Sequence, residues 1–169
     1  MTKVQGDILL EASGLVKSFV GGDGSELVVL DRLSLKILNH ETVAIVGGSG
    51  AGKSTLLQIL GGLDHPTSGK VLVDGQALGK GKNQNLEWLR NQQIGFVFQF
   101  HHLLKDFTAL ENVMMPSLIA GNSRSISEKR AGELLEQVKL EHRLHHKPAE
   151  LSGGEQQRVA VARALCNEP

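Results

Sequence analysis

Thr42-Val43-Ala44-Ile45-Val46-Gly47-Gly48-Ser49-Gly50-Ala51-Gly52-Lys53-Ser54-Thr55-Leu56-Leu57-Gln58-Ile59-Leu60 reads, in order, as an unbroken apolar run, a glycine-rich loop and a segment with helical apolar spacing. The apolar run predicts a short strand buried on both faces, and Lys53 to Leu60 predicts a helix. Between them, Gly47 to Ser54 fits the pattern GxxxxGK[ST] of a phosphate-binding loop. Its small residues let consecutive backbone N–H groups curl around a β-phosphate, and the following helix adds the positive end of its dipole. Lys53 supplies a point charge to the β- and γ-phosphates, Ser54 offers a hydroxyl to Mg²⁺, and Thr55 either bonds a phosphate oxygen or caps the helix. Glycine-rich turns also arise by chance. A strand before the loop and a helix after it distinguish a nucleotide site from such a turn.

A hundred residues later comes a second glycine motif, Leu151-Ser152-Gly153-Gly154-Glu155. Ser152 and Glu155 fit the S/T-x-x-E capping box, so a helix starts here. Alone, the motif reads as a Ser-capped helix that needs no ligand. Beside a phosphate-binding loop, the Ser152 hydroxyl, the Gly153 and Gly154 amides and the helix dipole make a second anion site. One nucleotide does not easily need both. The helix runs on through Val159, Ala162, Leu165 and Cys166, an apolar stripe that predicts inward packing.

Outward from these motifs, Ile8 to Val20 and Leu27 to Leu38 alternate and are separated by Gly21-Gly22-Asp23-Gly24, which predicts an antiparallel strand pair. Val71 to Val73 is a short strand with an Asp74-Gly75 turn, Gly79 to Asn85 a polar loop, and Leu86 to Gln92 a short helix. Ile94 to Phe98 is another buried-type strand, with Gln99 at its carboxyl end, where ligands of α/β sheets gather. On spacing alone, Gln99 is equally a solvated loop residue. Capping boxes at Thr108…Glu111 and Ser125…Glu128 predict helices from Leu110 to Ile119 and from Ala131 to Val138. No repeat, low-complexity tract or linker is present.

The 169 residues suit one domain, with 40% hydrophobic and 21% charged residues, and the 18 basic and 18 acidic side chains cancel. No global basic field is available for nucleic acid or an anionic membrane. The single cysteine, Cys166, excludes an internal disulfide; no apolar run reaches membrane-helix length, and the first ten residues lack a signal-peptide core. A cytoplasmic protein is expected. His101, His102, His142, His145 and His146 invite a metal reading, but no cysteine or carboxylate completes a ligand spacing nearby, so solvated loops are the preferred reading.

The glycine loop from Gly47 to Thr55 and the later Ser152-Gly153-Gly154-Glu155, in this order, resemble the ABC-transporter ATPases. The resemblance covers nearly the whole chain and implies an α/β P-loop NTPase fold of ABC type: an antiparallel β subdomain, a mostly parallel core sheet and a helical subdomain. It divides residues 1–169, as a single incomplete domain, into a nucleotide-binding core with β subdomain (1–98), a Q-loop with helical subdomain (99–150) and the signature motif with its helix (151–169). The implied cofactors are ATP and Mg²⁺. Lys53 and Gln99 are then the candidate catalytic residues, with Ser54 and Gln99 as the metal-side groups. Phe19, by itself more often core than ligand, becomes the aromatic that stacks on adenine, where relatives commonly carry Tyr. Ser152, Gly153 and Gly154 bind the γ-phosphate of ATP held by the opposite subunit, so two composite sites form across an ATP-dependent head-to-tail homodimer. Nucleic acid is not an expected partner.

Phe98 to Pro116, containing His101-His102-Leu103-Leu104 and Asp106-Phe107-Thr108-Ala109-Leu110-Glu111-Asn112-Val113, together with Gly61 to Gly69, resembles the lipoprotein-releasing branch of the family more narrowly. That branch implies an energy-coupling subunit, peripheral on the cytoplasmic face of the bacterial inner membrane and held there by integral permease subunits. Phe100 to Phe107 is the expected docking surface, with Leu103 and Leu104 prominent. Macrolide-exporter-type and cell-division-type systems are the alternatives. Lys105 and Ala51 depart from residues frequent in the pattern; Ala51 is small and leaves backbone phosphate binding intact. In the family an apolar strand ending in Asp-Glu, a dimer-contact loop and a switch histidine follow the Asn-x-Pro matched by Asn167-Glu168-Pro169. The sequence ends there, so the general-base Glu and the strands that would neighbour Thr42 to Val46 lie outside it. Nucleotide binding with little or no hydrolysis is the expectation for these 169 residues, and a non-hydrolysing binding module is the competing reading. A soluble P-loop kinase or motor is disfavoured by the signature helix and Gln99.

Overall fold

The computed structural model describes residues 7–78 and 86–169, which leaves the polar segment Gly79 to Asn85 outside the described residues. The chain divides into two compact units, Met1–Leu86 and Glu87–Pro169.

In the first unit, β1 (Ile8–Val20) and β2 (Glu26–Leu38) form the expected antiparallel pair, with Phe19 opposite Leu27 and Lys17 opposite Leu30. β3 (Ser68–Val73) pairs with the other side of β1, and β4 (Gln76–Ala77) turns back on β3, giving the sheet order β2-β1-β3-β4. The turn between β3 and β4 is Asp74-Gly75, with φ of 47° and 72°, the left-handed pair that a tight hairpin with native twist requires. Ala12, Leu15, Leu30, Val71 and Val73 are buried. α1 (Lys53–Leu60) buries Leu56, Ile59 and Leu60, the i, i+3, i+4 stripe of its apolar face. Each buried leucine contributes about 1.5–3 kcal/mol relative to exposure.

Two runs expected as parallel core strands behave differently. Thr42 to Val46 and Ile94 to Phe98 carry no ladder pairing among the described residues, and Val46 is 87% exposed. β-branched composition suits a pleated, buried surface, but a strand exists only when a neighbour takes its N–H and C=O groups. The sheet described is therefore wholly antiparallel.

The second unit is helical. α2 (Leu86–Gln93), α3 (Ala109–Ile119), α4 (Arg124–Gln137) and α5 (Gly153–Ala164) are joined by loops and by the 3₁₀ turns Glu141–Arg143 and Pro148–Glu150. Ala109, Val113, Met114, Ala131, Leu135, Leu140, Val159 and Ala162 form its core, with Leu103, Val138 and Leu144 packed against them. α3 starts with the expected capping box: Thr108 Oγ1 accepts the Glu111 N–H at 3.2 Å, and Glu111 Oε2 accepts the Thr108 N–H at 2.9 Å. Those bonds from Thr108 lower the Glu111 pKa.

α4 departs from expectation. Its cap is Ser123, whose hydroxyl accepts from the Ile126 N–H, so Ser125 and Glu128 lie inside the helix and no box forms at Ser125. Starting at Arg124 places Ser127, Ala131, Leu134 and Leu135 on one buried face, and Ser127 donates to Ser117 of α3 at 2.8 Å. That burial outweighs one capping interaction of about 1 kcal/mol. In α5 the inward stripe is Val159, Ala160, Ala162 and, just beyond the helix, Cys166, while Leu165 is exposed. Residues 94–98 run beside the end of α5. A Cβ on Gly95 would lie 2.5 Å from the Ala164 carbonyl oxygen, so only glycine fits there.

Candidate functional site

The glycine loop leads into α1 through Gly52, which caps the helix in the left-handed conformation at φ 81°, with no side-chain hydrogen bond. A Cβ on Gly52 would stand 3.0 Å from the Val29 carbonyl oxygen and 3.1 Å from Leu30 Cδ2, so the helix start is pressed against β2. Leu56 N–H to the Gly52 carbonyl is the first bond of the helix ladder, and among the described residues no side chain takes the amides of Lys53, Ser54 or Thr55. α1 also carries no acidic residue in its first turn. The result is an open set of donors at the positive end of a helix dipole, which is the chemistry of an anion site.

Lys53 reaches back over the loop, its Nζ donating to the Gly47 carbonyl at 2.9 Å and the Gly48 carbonyl at 2.6 Å. These bonds hold the ammonium against the loop backbone. Gly47, Gly48, Ser49, Gly50 and Ala51 are exposed, as is Ser54, so the loop lies open to a ligand. These residues fit a nucleoside polyphosphate: the backbone amides suit phosphate oxygens, and the Ser54 hydroxyl is a hard donor suited to Mg²⁺.

Phe19 belongs to the same unit and is 46% exposed. Lys17, two residues earlier on β1, pairs with Leu30, the residue that Gly52 presses against. Phe19 therefore lies about 7 Å further along the strand from the level of the helix start. Lys17 Nζ sits 5.0 Å from the Phe19 ring centroid, and also donates to Asp64 Oδ1 and the His65 carbonyl, both at 2.8 Å. The Lys17 bond pulls the Asp64 pKa down. One ring face thus carries a fixed cation, with the exposed remainder free for stacking.

Gln99, Ser152, Gly153 and Gly154 belong to the second unit. Gln99 is exposed in a turn closed by the His101 N–H to the Phe98 carbonyl at 3.1 Å. Ser152 caps α5 with a complete box: its N–H and Oγ both reach Glu155 Oε2 at 2.8 Å, and Oγ accepts the Glu155 N–H at 3.3 Å. Gly153 and Gly154 are exposed on the first turn. Arg163, in the last turn of α5, donates from Nη1 to the His102 carbonyl at 2.8 Å and from Nη2 to the His101 carbonyl at 2.7 Å. His101 and His102 have φ of 58° and 47°, so this grip holds two residues in a costly backbone conformation. Ser152 and Arg163 are eleven residues apart, so the signature serine and the loop after Gln99 sit at opposite ends of α5, about 16 Å along its axis.

A family model for the ABC transporter matches residues 30–169, more than four-fifths of the chain. The chain belongs to the ABC transporter family. This cassette is 54% identical over 168 residues to the lipoprotein-releasing system ATP-binding protein LolD of Xanthomonas euvesicatoria, spanning 99% of the chain and 68% of that protein. It is 56% identical over 165 residues to the LolD of Syntrophotalea carbinolica, spanning 98% and 72%. Among solved structures, the ATP-binding cassette MJ0796 bound to ADP and Pi in a dimeric post-hydrolysis state aligns with a TM-score of 0.87. It is 41% identical and covered over 95% of this chain and 70% of its own. The ABC ATPase fold expected from the two glycine motifs is therefore established.

The expected docking loop is half-buried at one of its leucines. Leu103 packs against the helical core, while Phe100 is 78% exposed and Leu104 and Phe107 are also exposed. Asn112, fully buried on α3, fixes the loop by accepting the Leu104 N–H at 2.7 Å and donating to the Leu104, Phe107 and Thr108 carbonyls. Arg163 and Asn112 were not identified from sequence. Asn112 offered a signal, being a polar residue in the apolar stripe of Ala109, Val113 and Met114, whereas the Arg163 grip spans 61 residues. Among the described residues no group of three or more His, Cys, Asp or Glu side chains could hold a metal, and no helix is long and apolar enough to cross a membrane.

Proposed function

We propose that this cassette is the ATP-binding, energy-coupling subunit of a lipoprotein-releasing ABC system. The observation that carries the reading is the start of α1, capped by Gly52 without any side-chain bond, beneath a glycine loop bridged by the Lys53 ammonium. Gly47 to Thr55 hold the phosphates of ATP, with Lys53 on the β- and γ-phosphates, and Phe19 stacks on adenine. Ser54 and Gln99 are the groups that hold Mg²⁺, which when bound offsets phosphate charge. Ser152, Gly153 and Gly154 of one copy meet the γ-phosphate held by a second, head to tail. The ends of α5 being about 16 Å apart supports this, because one nucleotide would not engage Gln99 and Ser152 of the same unit.

Integral permease subunits dock on the loop Phe100 to Phe107, including Leu103 and Leu104, which keeps the cassette on the cytoplasmic face of the inner membrane. LolD relatives at 53–56% identity favour lipoprotein release over the macrolide-exporter and cell-division alternatives. Calorimetric titration of the full-length subunit with ATP and Mg²⁺ tests the central claim: Lys53→Ala is expected to weaken binding by about two orders of magnitude, and unchanged affinity would refute it. The 169 residues contain no Asp-Glu pair after an apolar run. Prepared as a separate polypeptide, they are expected to bind ATP and release phosphate no faster than their Lys53→Ala variant. Turnover dependent on Lys53 would mean that another carboxylate serves as base.

A further inference from the structure

The helix end that offers Ser152, Gly153 and Gly154 to a phosphate already holds an anion of its own. Glu155 Oε2 accepts the N–H and the hydroxyl of Ser152, both at 2.8 Å. In this arrangement the hydroxyl hydrogen that an incoming phosphate needs is spent on the carboxylate. The Ser152 bonds pull the Glu155 pKa down to about 2, so near neutrality the negative charge is always present. An arriving γ-phosphate therefore meets repulsion at close range as well as the helix dipole.

Arg143 pairs with that charge, while the Arg158 guanidinium lies nearby, its Nη1 3.9 Å from where a Cβ on Gly154 would stand. Arg143, at the end of the 3₁₀ turn Glu141–Arg143, donates from Nε to Glu155 Oε1 at 3.1 Å, leaving Oε2 to Ser152. Its Nη1 lies 3.0 Å from His146 Nε2, and a guanidinium can only donate, so His146 is the acceptor and fixes the plane of the Arg143 group. His146 is itself anchored, its carbonyl accepting the Ala109 N–H at 2.8 Å and the Leu144 carbonyl accepting the Leu110 N–H at 3.0 Å. The start of α3, the 144–146 segment, Arg143, Glu155 and Ser152 thus form one connected series.

We propose that Arg143 is the positioning residue that makes the signature helix end receptive to phosphate. Paired with Glu155, it offsets the negative charge that the capping box places there. It also keeps the carboxylate turned toward the Ser152 backbone, so that the hydroxyl can exchange its hydrogen bond for one to phosphate. The inference rests on the reading that Ser152 meets the nucleotide of a second copy.

The test is ATP-driven dimerisation of the full-length subunit, measured by sedimentation, with nucleotide affinity of the monomer and thermal melting as controls. Arg143→Gln is expected to weaken the ATP-dependent dimer roughly tenfold or more while monomer affinity stays unchanged, because an unpaired carboxylate then faces the phosphate. Arg143→Lys restores part of the loss. Removing the opposing charge should rescue it: Arg143→Gln with Glu155→Gln dimerises within about threefold of the native protein. A purely structural role for Arg143 would leave the double variant as weak as the single one, and that outcome overturns the proposal, as does native dimerisation by Arg143→Gln. Ser152→Arg separates this from the underlying reading. If Ser152→Arg dimerises normally with ATP, the signature site itself is wrong; if it blocks dimers while Arg143→Gln does not, only the role of Arg143 fails.

Discussion

The starts of α1 and α5 are both helix N-termini beside glycines, yet they are built in opposite ways. α1 is capped by Gly52 with no side-chain bond and no acid in its first turn. α5 is capped by Ser152 in a closed box with Glu155. An open terminus leaves its amides to whatever anion arrives, whereas the closed one has already engaged the Ser152 and Glu155 amides and the Ser152 hydroxyl, and that hydroxyl must rearrange to meet a ligand. The contrast suits a division of labour in which the glycine loop binds nucleotide by itself and the signature end responds only when a phosphate is brought to it. Stability and ligand binding are thus in competition at α5, whereas at α1 no side-chain cap competes with a ligand.

Breaking the open end should have the largest effect. Lys53→Ala removes a charge-assisted contact and is expected to lower ATP affinity by about two orders of magnitude, roughly 3 kcal/mol, in calorimetry. Gly52→Ala attacks the same end through the backbone. A φ of 81° costs an alanine roughly 1–2 kcal/mol, and the Val29 carbonyl 3.0 Å from the new Cβ adds to it. About 2 kcal/mol of stability should be lost in denaturant unfolding, together with weaker binding. A Gly52→Ala protein as stable as the native one would show that the loop can leave β2 without cost.

The open end was legible because its pattern is local. Gly47 to Ser54 is contiguous, and the Thr108 and Ser152 boxes each need only four residues, so sequence spacing carries the geometry. Local signals misled at α4, where the Ser125 box lost to a start at Ser123 that buries Ser127, Ala131 and Leu135 on one face. They also misled at Thr42 to Val46 and Ile94 to Phe98, where strand composition was present and pairing was not. The half-burial of Leu103 beside exposed Leu104 was not legible, because it depends on packing against the helical core that loop composition does not encode. The Arg143–Glu155 pair joins residues twelve apart across a 3₁₀ turn, and no periodicity encodes that.

At the closed end the effects are smaller. Ser152→Ala removes the hydroxyl that accepts the Glu155 N–H and is expected to destabilise the second unit by about 1 kcal/mol, read as a lower denaturant midpoint. Monomer affinity for ATP should not change. If Ser152→Ala is neutral for stability, the box contributes nothing, and the distinction between the two helix ends rests on charge alone.

The smallest effect, and the finest test of the contrast, is acid titration of Glu155. Its carboxyl is held at about 2, first by the Ser152 N–H, then by the Ser152 hydroxyl, with Arg143 contributing less. A carboxylate whose folded pKa lies below its ordinary 4.5 stabilises the fold fully above that value, and the contribution is lost as pH falls from about 4.5 through about 2. Nothing comparable is expected at α1, whose first turn carries no acid. Carbon-detected NMR of the Glu155 side chain should give a midpoint near 2. Amide exchange at Ser152 should accelerate over the same window once intrinsic exchange rates are divided out. Because Ser152 supplies the larger share, Arg143→Gln should raise the midpoint only part of the way, while Ser152→Ala, which keeps the backbone N–H, should also leave it below 4.5. A native midpoint at 4.5 would mean that the box stands open in solution, making the two helix ends alike.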